Sequence, residues 1–409
     1  MRLASFVSLL CLLLKGFQTI EATDTSNNSP YRILAPNNAD FAFRLFENLV
    51  TLNPNKDVFI SPMSISMALS LLILGSSGQT HIKLFNGLGL DISEMSEYDI
   101  RESFRLLYEF LRLSDRSLVM SMGSTLFHKQ TLNIMTVFPV KPQNYYGLDN
   151  FPLGVQAWTK TSSQINEYVK NKTHGEISGL VLEIENPATI ILINYIFFSG
   201  TWEQAFSPED TRLEDFFVDN TTVVQVPMMF QSNIFKYLYD SELECMVVQL
   251  EYMGNITAFF ILPDNKNMDI VIQELNQDTL RRWDTSMISS NNVDLYIPKL
   301  SLSGLYDLGE ITKALSLRDL KNSQTDSSKY SSIVQTLSKV VYNSNLQLSE
   351  NGQAAPSKTS SRSVGRKLLA PTIRFNHPFI IMVFNHTSWS CLFLGKVMNP
   401  QESTSHGKP

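Results

Sequence analysis

Three basic side chains, Arg362, Arg366 and Lys367, stand together in a stretch of Ser, Gly, Ala and Thr running from Ser349 to Pro371, with almost no large apolar residue before Leu368. A segment of about 15 or more residues without a pattern of its own is uncommon in a compact domain unless it is functional or disordered. A protease with an anionic specificity pocket would find an accessible Arg-Lys bond here, so the chemistry on offer is that of a substrate. Nothing comparable points to a reaction centre. The chain has no Gly-x-Ser-x-Gly elbow, no His-Glu-x-x-His, no phosphate-binding Gly-x-x-x-x-Gly-Lys-Ser/Thr and no EF-hand loop. The six histidines (His81, His128, His174, His377, His386, His406) are dispersed and Cys-x-x-Cys is absent, so neither catalysis nor a metal or organic cofactor is expected. Arg101, Arg105, Arg112 and Arg116 recur near one helical face, but Glu102, Glu109 and Asp115 lie among them. That pattern predicts a solvated, salt-bridged face rather than a polyanion site. Arg281-Arg282 is a pair only.

The body that carries the segment is apolar and mildly acidic. Of 409 residues, 33 are Lys or Arg and 39 Asp or Glu, a formal net charge of -6, which excludes a basic footprint for nucleic acid. With 18% charged and 43% hydrophobic residues, disorder is excluded for the bulk of the chain. Apolar spacing predicts a helix from Ala39 to Leu52, stopped by Asn53-Pro54-Asn55, then a short strand Val58-Phe59-Ile60. Ser61-Pro62 reads as an N-cap followed by proline in the first turn of a helix apolar on most sides through Met67, Leu71 and Leu74. Helical stripes return at Ile100–Leu113 and Ser162–Lys172. Ile190–Phe198 is β-branched or aromatic almost throughout, as in a strand covered on both faces. Val247–Leu250, Ala258–Leu262, Val293–Ile297 and Phe379–Phe384 are further strands, the last pairing with Cys391–Leu394 across Asn385-His386-Thr387. Helices first and strands later predict an α+β fold, and no linker or repeat divides residues 39–400, so one large domain and a monomer are expected.

Residues 1–22, with Arg2, an apolar run from Leu3 to Leu14 and Ala22 at a cleavage point, read as a signal peptide, too short to span about 30 Å of hydrocarbon. Residues 23–38 read as a polar N-terminal segment and 401–409 as a polar tail. No later run reaches the ~18 apolar residues of a membrane helix, so a secreted protein is expected. Cys11 leaves with the signal, and Cys245 and Cys391 allow at most one disulfide. Sequons at Asn171, Asn220, Asn255 and Asn385 predict surface glycans; that at Asn27 has Pro30 directly after it.

Over nearly all of Ala39 to Pro400 the chain resembles the serpins, nearest to their extracellular, antitrypsin-like branch. The likeness rests on Val58-Phe59-Ile60-Ser61-Pro62-Met63-Ser64, on Leu192-Ile193-Asn194-Tyr195-Ile196-Phe197-Phe198-Ser199-Gly200-Thr201-Trp202 and on Val226-Pro227-Met228-Met229. Further on come Tyr296-Ile297-Pro298-Lys299-Leu300, Phe375-Asn376-His377-Pro378-Phe379 and Phe393-Leu394-Gly395-Lys396-Val397-Met398-Asn399-Pro400. The resemblance implies three β-sheets, about nine helices and an exposed reactive-centre loop, with residues 349–371 as hinge and loop. Family inhibitors offer the loop as bait; the protease cuts it, stays attached as an acyl-enzyme, and is dragged as the loop inserts as a new strand of the main sheet. Ser61, Ser64 and Asn194 fall at the shutter that lets the sheet open, and Tyr342 stands where the family usually has His.

An inhibitory hinge in this family typically reads Glu-x-Gly-Thr-Glu-Ala-Ala-Ala-Ala-Thr. Here Glu350-Asn351-Gly352 and Thr359 match, with Gln353, Ala354, Ala355 and Pro356 between them. Gln353 replaces a small Thr or Ser at the first residue to be buried, and burying its amide without partners costs ~1–3 kcal/mol. Pro356 would lose a ladder hydrogen bond inside a central strand, a cost approaching ~3 kcal/mol. A tenfold slowing of insertion needs only ~1.4 kcal/mol. Counted from Gly352 the scissile bond follows Arg366; counted back from Phe375 it follows Lys367. Two functions stay open: an inhibitor of trypsin-like serine proteases with impaired trapping, or a non-inhibitory carrier or interaction protein that takes a small hydrophobic ligand.

Overall fold

The structure, a computed structural model, describes residues 35–90, 96–112, 118–132, 147–153, 161–180, 190–264, 267–317, 337–351, 371–385, 388 and 390–401. Eight α-helices occur among them: α1 Ala35–Leu52, α2 Pro62–Leu74, α3 Gly78–Gly87, α4 Glu97–Arg112, α5 Thr161–Lys172, α6 Met268–Gln273, α7 Gln277–Ser286 and α8 Leu308–Ala314. The strands are β1 Val58–Ile60, β2 Leu118–Lys129, β3 Asp149–Leu153, β4 Ile190–Gly200, β5 Arg212–Phe217, β6 Val223–Asp240 and β7 Cys245–Tyr252. They continue as β8 Ile256–Pro263, β9 Ile288–Pro298, β10 Leu300–Asp307, β11 Leu337–Leu348, β12 Thr372–Arg374, β13 Phe379–Asn385 and β14 Ser390–Val397. Among the described residues no helix is long and apolar enough to cross a membrane.

The main sheet runs β10-β11-β4-β2-β3. β4 is buried at every position except Ser199 because both faces are covered. Leu192, Ile196 and Phe198 join the principal core, whereas Ile191, Ile193, Tyr195 and Phe197 pack with Ile165 and Val169 of α5 in a second cluster. A strand alternates faces with a period of two, so covering both faces demands the unbroken apolar run seen in its sequence. Under the sheet lies α2, all of its residues buried; Ser61 caps it by accepting from the Ser64 N–H at 3.2 Å, and Pro62 occupies the first turn.

Where three sheets are expected, hydrogen bonding joins two of them into one, β1-β14-β13-β8-β7-β6-β9-β12 with β5 also on β6. The join is β6: its last residues pair with β7, its middle with β9 and its first with β5. A register shift between Asn233 and Phe235 bends the strand from one partner to the next. The expected C-terminal hairpin is β13 against β14. Helix α1 begins at Ala35 rather than in a polar segment ending at 38, since the first turn tolerates Pro36, which lacks only an N–H that would find no partner there. It ends where foreseen, and buried Lys396 donates from Nζ to the carbonyls of Asn53 (3.0 Å) and Pro54 (2.7 Å), tying that turn to β14. On α4, Arg105 pairs with Glu102 at 2.5 Å and Glu109 at 2.7 Å, the salt-bridged face that the sequence predicts; the side chains of Arg112 and Arg116 lie outside the described residues.

Cys245 and Cys391 are both buried and free. They sit on β7 and β14, three positions apart in the sheet, roughly 14 Å at the usual strand spacing, twice the reach of a disulfide. Burial first, then Asp240 and Asp264, pushes the Cys245 thiol up to about 12, and burial raises Cys391 well above the ordinary thiol value. Neither Cys245 nor Cys391 should react with Ellman's reagent in the native state, and both should titrate in denaturant; native reactivity would show the strands to be loose. Gly304 on β10 leaves no room beside β1, since a Cβ there would come within 1.7 Å of the Phe59 carbonyl oxygen. Gly304→Ala should therefore destabilise the fold by roughly 3 kcal/mol, read as a lowered denaturation midpoint.

Candidate functional site

β4 and β11 are direct, parallel neighbours in the main sheet. Their register runs from Leu337 opposite Ile190 to Gln347 opposite Ser199, with one irregularity between Leu337 and Lys339. The seam is closed: any further strand between them would first have to break this ladder. At its middle Tyr342 lies opposite Asn194. Asn194 Oδ1 accepts from Ser64 Oγ of α2, and Nδ2 donates to Ser124 Oγ of β2 at 3.0 Å. Ser61, Ser64, Asn194 and Tyr342, far apart in the chain, thus meet at one place, joined by Ser124, which no local signal in the sequence singles out. Tyr342 is 2% exposed, and its hydroxyl has no hydrogen-bond partner among the described residues. Burial, with Asp307 adding to it, pushes that phenol well above its ordinary value, so it stays neutral. A tyrosine here reaches the seam by packing, and its hydroxyl has no partner among the described residues.

At the end of β11 the chain is clamped before it enters the loop. The Trp202 backbone N–H donates to the Asn351 carbonyl at 2.9 Å, and its indole N–H donates to the Ser349 carbonyl at 2.8 Å. Glu350, 8% exposed, accepts from Lys299 Nζ at 2.7 Å and from Thr211 Oγ1 at 3.0 Å. Burial alone would raise this carboxyl; the hydrogen bonds from Lys299 and Thr211 outweigh it and hold the group below its usual range. Trp202 is itself stacked on Tyr252, ring centroids 3.7 Å apart. Gly352, Gln353, Ala354, Ala355, Pro356 and Thr359 of the hinge, and Arg366 and Lys367, lie outside the described residues.

The remaining sequence candidates separate in space. Asn171, Asn220 and Asn255 are exposed, the last in a left-handed turn at φ 60°. Asn385 is a correction: it is 1% exposed, and its Oδ1 accepts from the N–H (2.9 Å) and hydroxyl (3.1 Å) of Ser388, so the folded chain has no room for a glycan there. Arg282 is taken up by Asp240, at 2.8 Å, and by Glu242, while Arg281 lies 3.5 Å from Asp278. Asp240 also accepts from the buried Trp283 indole N–H at 2.7 Å. No group of three or more His, Cys, Asp or Glu that could hold a metal ion occurs among the described residues.

Comparison with known proteins agrees with this geometry. The family described as "Serpin (serine protease inhibitor)" matches residues 36–400. Corticosteroid-binding globulin of Ovis aries is 48% identical over 417 residues, covering 100% of this chain and 95% of that protein. The Homo sapiens corticosteroid-binding globulin is 45% identical over 408 residues, covering 98% and 100%. Among solved structures, human thyroxine-binding globulin superposes with a TM-score of 0.78 at 29% identity, covering 91% of this chain and 100% of that one. These relatives are named for what they bind. The family match from residue 36 to residue 400 leads to one conclusion: the chain belongs to the serpin family.

Proposed function

We propose that this protein is a secreted serpin that carries a small hydrophobic hormone of the steroid class, and that its loop is cleaved by trypsin-like proteases without trapping them. The observation that carries the proposal is the 48% identity to a corticosteroid-binding globulin across the whole chain. The likeness to thyroxine-binding globulin solved with thyroxine supports the same class of work, a small ligand held by a serpin body. Loop chemistry points the same way. Insertion must break the β4–β11 ladder, and the new strand would present Pro356, which has no N–H for the ladder, and Gln353, whose amide needs partners. The inhibitor function is therefore the weaker of the two, and Arg366 and Lys367 become a cleavage site. Export through residues 1–22 and glycans at Asn171, Asn220 and Asn255 complete the proposal.

Two measurements test it. Cortisol added at about a hundred times its dissociation constant should stabilise the native protein by about 2.7 kcal/mol, read as a rise in melting temperature; a panel of steroids and thyroxine that leaves the melting temperature unmoved would remove the carrier function. Incubated with trypsin, the protein should yield cleaved product and no covalent complex on a denaturing gel, whereas the double substitution Gln353→Thr with Pro356→Ala should raise the yield of complex. A stable complex in good yield from the natural sequence would sink the non-trapping half of the proposal.

A further inference from the structure

Beside the hinge clamp lies a cleft of about 350 Å³, inside the range of about 300–1,000 Å³ of small-molecule sites. Trp202, Phe206, Phe235 and Leu250 supply its apolar lining. Gln249 of β7 lines it too, and is 5% exposed. Its Nε2 donates to Glu251 Oε1 at 2.5 Å, which fixes which way the amide points. The amide oxygen is left buried with no hydrogen-bond partner among the described residues. A buried acceptor in that condition costs free energy, and a donor recovers it where the lining shifts to open the oxygen to the cleft.

The charge of the lining narrows the ligand. Glu251 also accepts from Thr257 Oγ1 at 2.5 Å, so both its carboxylate oxygens are met by neutral donors. Neither Glu251 nor the exposed Glu203 has a cationic partner within ion-pair distance among the described residues. Against these two carboxylates stands Lys236, exposed at the rim, where its long stem lets the ammonium stay in water. The cleft thus offers aromatic walls, an orphan acceptor and an excess of negative charge.

We propose that this cleft binds a flat aromatic molecule carrying a protonated amine, the molecule displacing the lining enough to reach Trp202, Phe206 and Gln249 Oε1 while its ammonium pairs with the Glu251 carboxylate, and that its occupancy tightens the hold on the chain at Ser349–Asn351. The second half follows from connectivity. Trp202 lines the cleft and also donates to the Asn351 and Ser349 carbonyls, while the Glu203 N–H donates to the Glu251 carbonyl at 2.9 Å. A ligand that orders Trp202 and Glu203 orders the last residues before the loop by the same bonds. The site is independent of hormone carriage, since a steroid brings no positive charge.

Equilibrium dialysis of the full-length protein tests it with 9-aminoacridine, cationic near neutral pH, against acridine, its neutral counterpart. The cation should bind one to one and about tenfold more tightly than acridine. Gln249→Leu and Glu251→Gln should each weaken it by about fivefold, and Glu203→Gln at an exposed position keeps the test alive if Gln249→Leu does not fold. Hydrogen exchange of peptides containing Trp202 and Glu203 should slow by about threefold on saturation, while peptides from α5 stay unchanged. Absence of saturable binding, equal affinity for acridine, or full affinity in the folded variants would overturn the site. Unchanged exchange at Trp202 would overturn its link to the hinge.

Discussion

β4 has no exposed face and no unpaired edge. Both of its sides are packed, its ladder with β2 runs from Leu118 opposite Gly200 to His128 opposite Ile190, and its other edge is taken by β11. Ladders run along both of its edges, from Ile190 to Ser199 on the β11 side, so opening either edge strands a row of N–H and C=O groups until a new partner supplies them one for one. The remaining architecture follows from that demand. α5 is held over one face by Ile165 and Val169, α2 lies under the other, and Ser64 of α2 bonds to Asn194 in the middle of the strand. The same constraint separates the two functions open to this fold. A protease trap must separate β4 from β11 and refill the gap from its loop, while a carrier has only to leave the seam alone.

The end of that seam and its middle are built differently. At the end of β11 the polar groups of Ser349, Glu350 and Asn351 are met by Trp202, Lys299 and Thr211. In the middle Tyr342 brings an aromatic ring into the core and leaves its hydroxyl unpaired. The ring adds apolar burial where a hydrogen-bonding residue would stabilise by pairing, and the unmet hydroxyl offsets part of that gain. The seam is therefore held at its centre by packing and at its end by charge-assisted hydrogen bonds, which keep their strength where water is partly excluded.

Legibility in the sequence tracked how local each cause is. β4 was visible because burial on both faces forces a continuous apolar run, and α2 because a capped, proline-started helix without a polar face has few other homes. The salt-bridged stripe of α4 was visible because its partners sit three and four residues apart. β11 was not foreseen: Tyr342, Asn343, Ser344 and Asn345 carry no apolar alternation, and they are buried or half-buried only because β4 and β10 flank them. β6 was missed because it serves three partners in succession, so no single periodicity runs along it. Asn385 misled for the same reason, since a sequon is a local pattern and burial is not.

The sequence by itself determined the fold class and the family, and it carries the expectations of a protease-accessible segment at residues 349–371 and of a costly insertion at Gln353 and Pro356. Those properties depend on side-chain type and near-neighbour spacing, which are written along the chain. Tertiary structure alone decided that β4 and β11 touch, that Ser124 joins the Ser64–Asn194 contact, that the Tyr342 hydroxyl goes unmet and that the two cysteines lie too far apart to bridge. It also brought Gln249 of β7 beside Trp202 and left the amide oxygen unanswered. Each of these joins groups from distant stretches of the chain, where geometry and dielectric are set by packing and by no local pattern.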